Sequence, residues 1–179
     1  MRPEIAPEIV RAAQAGAPAD MEVLLAQLWP HAYRVAFSVA QDRVLAEDAA
    51  QEASAIIYRE IGNLRSPDAF RVWMYRIVIR EALRLVKRDA TAPNVSQPQD
   101  EPDIESRLDV LRALARLPAQ LRAVVVLRYY ADLNSREIAT VLGIPSATVR
   151  FRLGQARQRL SHLLRIEHRP RSHAPEACP

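Results

Sequence analysis

Cysteine, glycine and aromatic residues are scarce in this chain of 179 residues. It contains one cysteine, Cys178, and four glycines, and aromatic residues make up 6% of it. A single cysteine cannot form an internal disulfide, which favours a reducing compartment. So few glycines argue against a β fold with many tight turns. These shortages favour a helical protein, and we expect it to be cytoplasmic.

Long apolar stretches are also missing. No run of apolar residues approaches the roughly 20 residues that a transmembrane helix needs. The first residues, MRPEIAPEIVRAAQ, lack the apolar centre of a secretory signal peptide. We therefore expect a soluble protein without membrane insertion.

Helical periodicity dominates what the sequence does contain. Hydrophobic residues make up 49% of the chain, enough for a core, and the formal net charge of +4 is compatible with a nucleic-acid partner. Apolar residues recur at helical spacing over 5–15, 19–40, 44–61 and 68–88. We expect Pro30 to kink or divide the second of these helices.

A change of composition separates two helical parts. The stretch DATAPNVSQPQDEPD (89–103) holds three prolines and almost no apolar residues, which is typical of a flexible linker. The sequence therefore predicts an all-α fold of two small helical domains, 1–88 and 104–166, joined by this linker. Residues 167–179 are expected to be a disordered tail.

The second part begins with two predicted helices. Residues 104–117 are amphipathic, and Pro118 is suited to the first turn of the helix that follows. The segment AVVVLRYY in that helix is rich in β-branched residues and could form a strand. Its length and its helical neighbours favour a helix.

A helix-turn-helix is predicted next. Asn134 and Glu137 have the spacing of a capping box at the start of a helix. Gly143 is suited to the C′ position that ends this helix, and Ser146 can cap the next one. Two short helices joined by a tight turn that contains glycine are typical of this motif.

The second helix of the motif has the layout of a helix that enters the major groove. Val149, Leu153, Ala156 and Leu160 share one side and should face the core, while arginines flank the opposite strip. The alternative is a solvated face with Phe151 tucked under a neighbour. Under the DNA-binding interpretation, the candidate contacts are Ser146, Thr148, Arg150, Phe151, Arg152, Gln155, Arg157 and Arg159.

Two helices of the first part each have a candidate binding face. Trp73, Arg76, Arg80 and Arg84 share one side of the fourth helix, a pattern suited to single-stranded DNA because bases stack on the ring and guanidiniums hold phosphates. Spacing alone leaves open whether Trp73 lies in the core instead.

On the third helix, Asp48 and Gln51 project outward and Glu52 lies at the edge, with Leu45, Ala49, Ala53 and Ile56 on the buried side. Such an acidic face suits a protein partner, although an ordinary solvated face is the commoner case.

Three segments together resemble the extracytoplasmic-function (ECF) sigma factors. AEDAAQEA (46–53) is similar to their polymerase-binding motif, and DAFRVWMYRIVIREALRLVKR (68–88) to the segment that melts and reads the −10 element. The segment 117–160 is similar to their −35-reading domain. The resemblance covers roughly residues 8–165 in family order. It implies a two-domain initiation factor of bacterial RNA polymerase, with an anti-sigma factor as a further partner.

The resemblance also implies roles for individual residues. Asp48, Gln51 and Glu52 would contact the clamp of the largest polymerase subunit, and Arg150 and Arg152 match −35-contacting positions. The linker would thread towards the polymerase active centre. The implied −10 and single-strand residues are Asn63, Arg65 and Ser66 in the loop 62–68, with Trp73, Tyr75, Arg76, Arg80 and Arg84 on the helix.

The chain departs from the family pattern at three places. Ile79-Arg80 stands where the family commonly has Asn in an Arg-Asn pair, and Phe151 replaces a small polar residue. Gly154-Gln155 replaces a more basic pair. These departures concern which promoter sequence is read rather than the role of the protein.

Two other classes of function compete with this interpretation. A polymerase-independent helix-turn-helix regulator would use residues 1–88 as a sensor or dimerisation domain and bind symmetric half-sites. An enzyme or metalloprotein would need a ligand or phosphate-binding pattern, which the spacing of the histidines and glycines does not provide. His168, His173 and Cys178 could bind a metal in the tail, but unrelated tail residues are the better interpretation. We expect no catalysis, cofactor or metal.

Overall fold

The computed structural model describes residues 5–90 and 112–167, without the side chains of 165–167. The described residues contain no strand, which agrees with the predicted all-α fold. Residues 112–115 are helical, and two single 3₁₀ turns precede α4. The principal helices are α1 (Pro7–Gln14), α2 (Pro18–Ala40), α3 (Arg43–Glu60), α4 (Phe70–Asp89), α5 (Ala119–Val125), α6 (Ser135–Leu142) and α7 (Ser146–Glu167).

Helix α2 is the longest element of the first unit, and it continues through Pro30. Of the two outcomes expected of this proline, a division of the helix is therefore wrong. Pro30 lies on the exposed side, while Leu28 before it and Ala32 and Val35 after it are fully buried on the other side. Burial of this apolar face stabilises the helix on both sides of the missing backbone donor.

Helix α3 packs closely because its buried side consists mostly of alanine. Asp42 caps its start, where a side-chain oxygen accepts a hydrogen bond from the Leu45 amide at 2.9 Å. The fully buried residues are Ala46, Ala49, Ala50, Ala53 and Ile57. The predicted buried side was therefore misplaced by about one residue at two positions, since Leu45 and Ile56 are only half-buried. Side chains this small let α3 approach α2 and α4 closely.

The segment between α3 and α4 is held by α1. It forms two 3₁₀ turns, Ile61–Asn63 and Pro67–Ala69. The side-chain amide of Gln14 donates to the carbonyl oxygens of Ile61 at 3.2 Å and Leu64 at 2.7 Å. Two hydrogen bonds from one side chain therefore position this loop against the helix bundle.

The second unit contains the predicted helix-turn-helix. Asn134 Oδ1 accepts from the backbone amide of Glu137 at 3.1 Å, and Glu137 Oε2 accepts from the Asn134 amide at 2.7 Å, so the capping box is confirmed. Gly143 ends α6 with a positive φ of 64°, a conformation that glycine adopts without strain. The segment AVVVLRYY is also helical. It continues α5 as a π-turn over Val126–Tyr130.

The two units pack against each other and share one hydrophobic core. Arg122 of α5 is almost fully buried, and its Nε donates to the Val39 carbonyl at the end of α2 at 2.8 Å. Its Nη1 donates to the carbonyls of Ala115 and Leu117 at 2.9 and 2.7 Å. Burial lowers the pKa of Arg122. The three carbonyls satisfy the guanidinium, which pairs with no carboxylate of the described residues.

Several predictions of the sequence fall outside the described residues. The expected linker 89–103 begins inside α4, which ends at Asp89, and its part beyond Ala90 is not described. The same holds for residues 104–111 of the predicted amphipathic helix and for residues 168–179 of the tail.

Candidate nucleic-acid interface

An open cavity of about 740 Å³ lies between the loop 61–69 and the exposed side of α4. Five of the predicted −10 residues line it: Asn63, Arg65, Trp73, Arg76 and Arg80. Apolar side chains form the rest of its wall together with Glu60 and, from the second unit, Thr140. The cavity thus combines an aromatic ring, three guanidiniums and an amide at one surface.

Trp73 belongs to both the core and the cavity. Its ring lies 6.0 Å from that of Phe70 at an interplanar angle of 51°, and it packs against buried residues of the core. The side chain is half-buried and also lines the cavity. The ring therefore packs on the core and is also accessible from the cavity, and its contact with DNA stays a prediction. A ring held by the core on one side is suited to stack on a base from the other.

A buried carboxylate holds two of the arginines, and it was not predicted from sequence. Glu81 is 5% exposed, and its oxygens accept from the Nε of Arg80 at 3.2 Å and of Arg84 at 2.6 Å. A carboxylate in the interior is costly unless it is paired, so these guanidiniums stabilise the packed helix as well as presenting charge. The position of Glu81 between Met74 and Leu85 on the buried stripe would have indicated this role.

Three predicted −10 residues do not line the cavity. Tyr75 is 0% exposed because it lies on the apolar side of α4, and its hydroxyl bonds no described residue. Burial and the nearby Tyr130 raise the pKa of Tyr75. Ser66 caps the Pro67–Ala69 turn, accepting from the Asp68 amide at 3.3 Å. Arg84 is exposed beside Glu81 but lies outside the cavity wall.

The acidic face of α3 is exposed as predicted. The side chains of Asp48, Gln51 and Glu52 all reach solvent. Two exposed apolar residues, Val44 and Tyr58, lie on the same side of the helix, and neither was predicted. The spacing of 44, 48, 51, 55 and 58 could have identified them, because it follows one helical stripe. The face therefore combines acidic and apolar groups, which is characteristic of a protein-binding surface.

The outward side of α7 matches the predicted major-groove layout. Val149, Leu153 and Ala156 are buried, whereas Phe151 is 65% exposed, so the alternative in which Phe151 tucks under a neighbour is wrong. Arg152 is half-buried, and its Nη1 donates to Gln120 Oε1 of α5 at 2.9 Å. Ser146, Thr148 and Gln155 are also half-buried, and Arg150, Arg157 and Arg159 are exposed.

Other kinds of site are not found in the part of the chain that the structure describes. Within 5–90 and 112–167, no group of histidine, cysteine and carboxylate side chains is placed to hold a metal ion. None of the helices in these ranges is long and apolar enough to cross a membrane. The candidate tail ligands His168, His173 and Cys178 lie outside the described residues.

Two family models match the two units separately. Sigma-70 region 2 matches residues 24–91, and Sigma-70, region 4 matches residues 107–160. The RNA polymerase sigma-H factor of Pseudomonas aeruginosa is 34% identical over 140 residues, covering 66% of this chain and 72% of that relative. The chain belongs to the sigma-70 family.

Further comparisons support the ECF group within this family. The ECF RNA polymerase sigma factor SigM of Mycobacterium tuberculosis is 36% identical over 125 residues, or 66% of this chain and 64% of that relative. The sigma factor RpoE of Bartonella quintana, solved in complex with the anti-sigma factor NepR, shares the fold. Its TM-score is 0.68 at 20% identity, with 83% of this chain and 98% of that chain covered.

This ECF sigma factor is a transcription-initiation factor that binds RNA polymerase and promoter DNA. The region 2 match contains the acidic face of α3 and every residue that lines the cavity beside α4 except Thr140. The region 4 match contains the helix-turn-helix and the arginines of α7. The matches therefore support the sigma-factor interpretation over a polymerase-independent regulator.

Proposed function

We propose that this sigma factor captures the unpaired −10 strand in the cavity between the loop 61–69 and α4. The observation that carries the proposal is the grouping of Trp73 with Asn63 and three arginines around one opening. A base stacks on the ring while the guanidiniums hold the adjacent phosphates. Binding of the unpaired strand then offsets the free energy that separating the base pairs costs.

The −35 element is assigned to α7. The arginines at the sides of the helix, Arg150, Arg157 and Arg159, reach phosphates and set the position of the helix on the duplex. Phe151 projects from the centre of the exposed strip near the start of the helix. There it can contact the methyl group of a thymine in the major groove.

The acidic face of α3 is assigned to the polymerase clamp. The carboxylates of Asp48 and Glu52 would meet basic side chains of the clamp, and Val44 and Tyr58 would supply apolar contacts at the two ends.

We expect Asp48→Arg to weaken binding to core polymerase at least tenfold, because it places a cation opposite basic partners. Fluorescence anisotropy of the labelled protein with core polymerase measures this affinity. An unchanged affinity would contradict the assignment, and Glu22→Arg on the exposed side of α2 is a matched control.

The −10 assignment is tested by transcription and strand opening. With core polymerase and a cognate promoter, Trp73→Ala should lower the yield of run-off transcript and of open complex about tenfold, since stacking of one base contributes about 1–3 kcal/mol. Permanganate reactivity of unpaired thymines reports the opening. Affinity for a duplex fragment that carries only the −35 element should stay the same. Equal losses in both assays would mean that Trp73 serves the fold and not the strand.

Three further properties follow from the proposed role. The chain itself catalyses no reaction and lends promoter specificity to the polymerase, and it acts in the cytoplasm where the polymerase is. We also infer an anti-sigma partner, because a relative of the same fold was solved with one. Co-expression with the product of the adjacent gene, followed by loss of core binding, would test that partner.

A further inference from the structure

Two neighbouring side chains on one wall of the −10 cavity leave mainly hydrogen-bond acceptors available. Asn63 Nδ2 donates to Glu60 Oε2 at 2.9 Å. Because an ionised carboxylate cannot donate, this contact fixes which way the Asn63 amide is turned. Asn63 Oδ1 and the second oxygen of Glu60 bond no described residue. Both side chains are exposed and line the cavity, so these two oxygens are available to a bound base.

The turn that carries Asn63 is held in place by α1. The side-chain amide of Gln14 donates to a carbonyl on each side of Asn63, that of Ile61 at 3.2 Å and that of Leu64 at 2.7 Å. The Leu64 amide closes the turn by donating to the Ile61 carbonyl at 3.1 Å. Helix α1 lies before the region 2 match, which begins at residue 24. A side chain outside that match therefore positions the residue that faces the cavity.

Glu60 stands where a carboxylate is otherwise unfavourable. It is the last residue of α3, and negative charge at a helix C-terminus interacts unfavourably with the helix dipole. Among the described residues that line the cavity it is the single carboxylate, and the proposed ligand is a negatively charged strand. A hydrogen-bond donor on the ligand would offset both effects. The amino groups of cytosine and adenine are such donors, whereas phosphates and thymine O4 are acceptors.

We propose that Glu60 and Asn63 make this cavity select an unpaired base that carries an exocyclic amino group and reject thymine. This inference rests on the proposed function, because it names the kind of base that the −10 cavity takes. The amino group donates to Asn63 Oδ1 and to the second oxygen of Glu60 while the ring stacks on Trp73. Thymine would bring its O4 against the same oxygens and leave them without a donor. Gln14 is a positioning residue for this selection.

Base analogues in a single-stranded oligonucleotide test the selection directly. The probe is a fluorescein-labelled non-template −10 strand of a cognate promoter, bound to core polymerase with the full chain and followed by anisotropy. One position at a time carries 5-methylcytosine or thymine, which share the methyl group and differ in the amino or carbonyl group at ring position 4 and in the accompanying N3 proton. At one position 5-methylcytosine should bind about tenfold more tightly. There adenine should also bind more tightly than purine, which lacks only the amino group. Equal binding at every position, or tighter binding of thymine, would overturn the proposal.

Substitution of Glu60 assigns the preference to this loop. Glu60→Gln keeps the size of the side chain but supplies an amide that can donate to thymine O4, so the preference should fall to less than about twofold. Glu22→Gln makes the same change of charge on the exposed side of α2 and should keep the full preference. A preference that survives Glu60→Gln would show that another group reads the base.

Substitution of Gln14 tests its positioning role. Gln14→Glu keeps the size of the side chain, but a carboxylate cannot donate to the carbonyls of Ile61 and Leu64. It should lower the preference about threefold or more, since the Asn63 turn is then no longer held, and Gln27→Glu on the exposed side of α2 is the control. The ratio of two affinities does not change when part of the sample is unfolded, because unfolded molecules bind neither strand. A lower melting temperature with an unchanged ratio would mean that Gln14 serves the fold alone.

The outcomes also separate this inference from the proposed function. Binding of the strand that is lost in Trp73→Ala, but that is the same for all bases, would support the −10 cavity and overturn only the selection by Glu60 and Asn63. Absence of binding to every strand would overturn the proposed −10 function and this inference together.

Discussion

Helices α4 and α7 both carry a row of arginines, but the two rows are held differently. In α4, Arg80 and Arg84 bond the buried carboxylate of Glu81, and Arg80 also lines the cavity. In α7, Arg157 and Arg159 are exposed and bond no described residue. The same side chain thus serves as a structural and binding group in one helix and as a free surface group in the other.

The difference fits the two forms of DNA that the helices are proposed to bind. Duplex DNA is rigid and presents phosphates at regular spacing, so mobile arginines on α7 can find them. An unpaired strand is flexible, and holding it in one conformation costs entropy. Guanidiniums that are already positioned reduce the further ordering that binding requires. Pre-positioning is therefore more useful in α4 than in α7.

The largest expected effect separates the two rows by stability. Arg80→Ala combined with Arg84→Ala leaves the carboxylate of Glu81 buried without a cation and should lower the free energy of unfolding by about 3 kcal/mol. Arg157→Ala combined with Arg159→Ala should change it by less than about 0.5 kcal/mol. Urea denaturation followed by circular dichroism measures both. Equal small effects would show that the Glu81 pairs do not stabilise α4.

Whether a feature could be predicted from the sequence depends on how far apart in the chain the interacting residues are. The capping box of Asn134 and Glu137 and the glycine at 143 were predicted because they depend on neighbours within a few residues. The shared face of Trp73, Arg76 and Arg80 followed from helical periodicity. These features are local, so the order of residues is sufficient to define them.

Features that depend on distant contacts could not be predicted in this way. Tyr75 was assigned to single-stranded DNA, yet it is buried where α4 meets Tyr130 of the other unit. Arg122 donates to Val39, which is 83 residues away in the chain. Helical periodicity places Tyr75 on the apolar side of α4, but it does not identify the residues that pack against that side. The packing of two units against each other is information that no single segment contains.

An intermediate effect concerns the specificity of α7. Phe151→Ala should reduce discrimination at one −35 base pair, where a mismatch typically costs about 1–3 kcal/mol. Stability should stay nearly unchanged, because the ring is exposed and proposed to contact a base edge. Competition binding of holoenzyme to a set of promoters with single substitutions in the −35 element measures this. A uniform loss across all sequences would instead mean that Phe151 contributes to general affinity. Arg157→Ala provides the comparison, since removal of a phosphate contact should weaken all sequences alike.

The smallest expected effect concerns Arg152, the one arginine of α7 with a described side-chain partner. Its Nη1 bonds Gln120 of α5, which resembles on a small scale the pre-positioned arginines of α4. Gln120→Ala should change the free energy of unfolding by less than about 0.5 kcal/mol, because Gln120 is exposed. If pre-positioning matters little on duplex DNA, Gln120→Ala should lower the −35 affinity of the holoenzyme by less than about threefold. The slope of log affinity against log salt should stay constant, because no phosphate contact is lost. A larger fall with the same slope would show that an arginine of α7 also needs to be held in place, and the contrast between the two helices would then be one of degree.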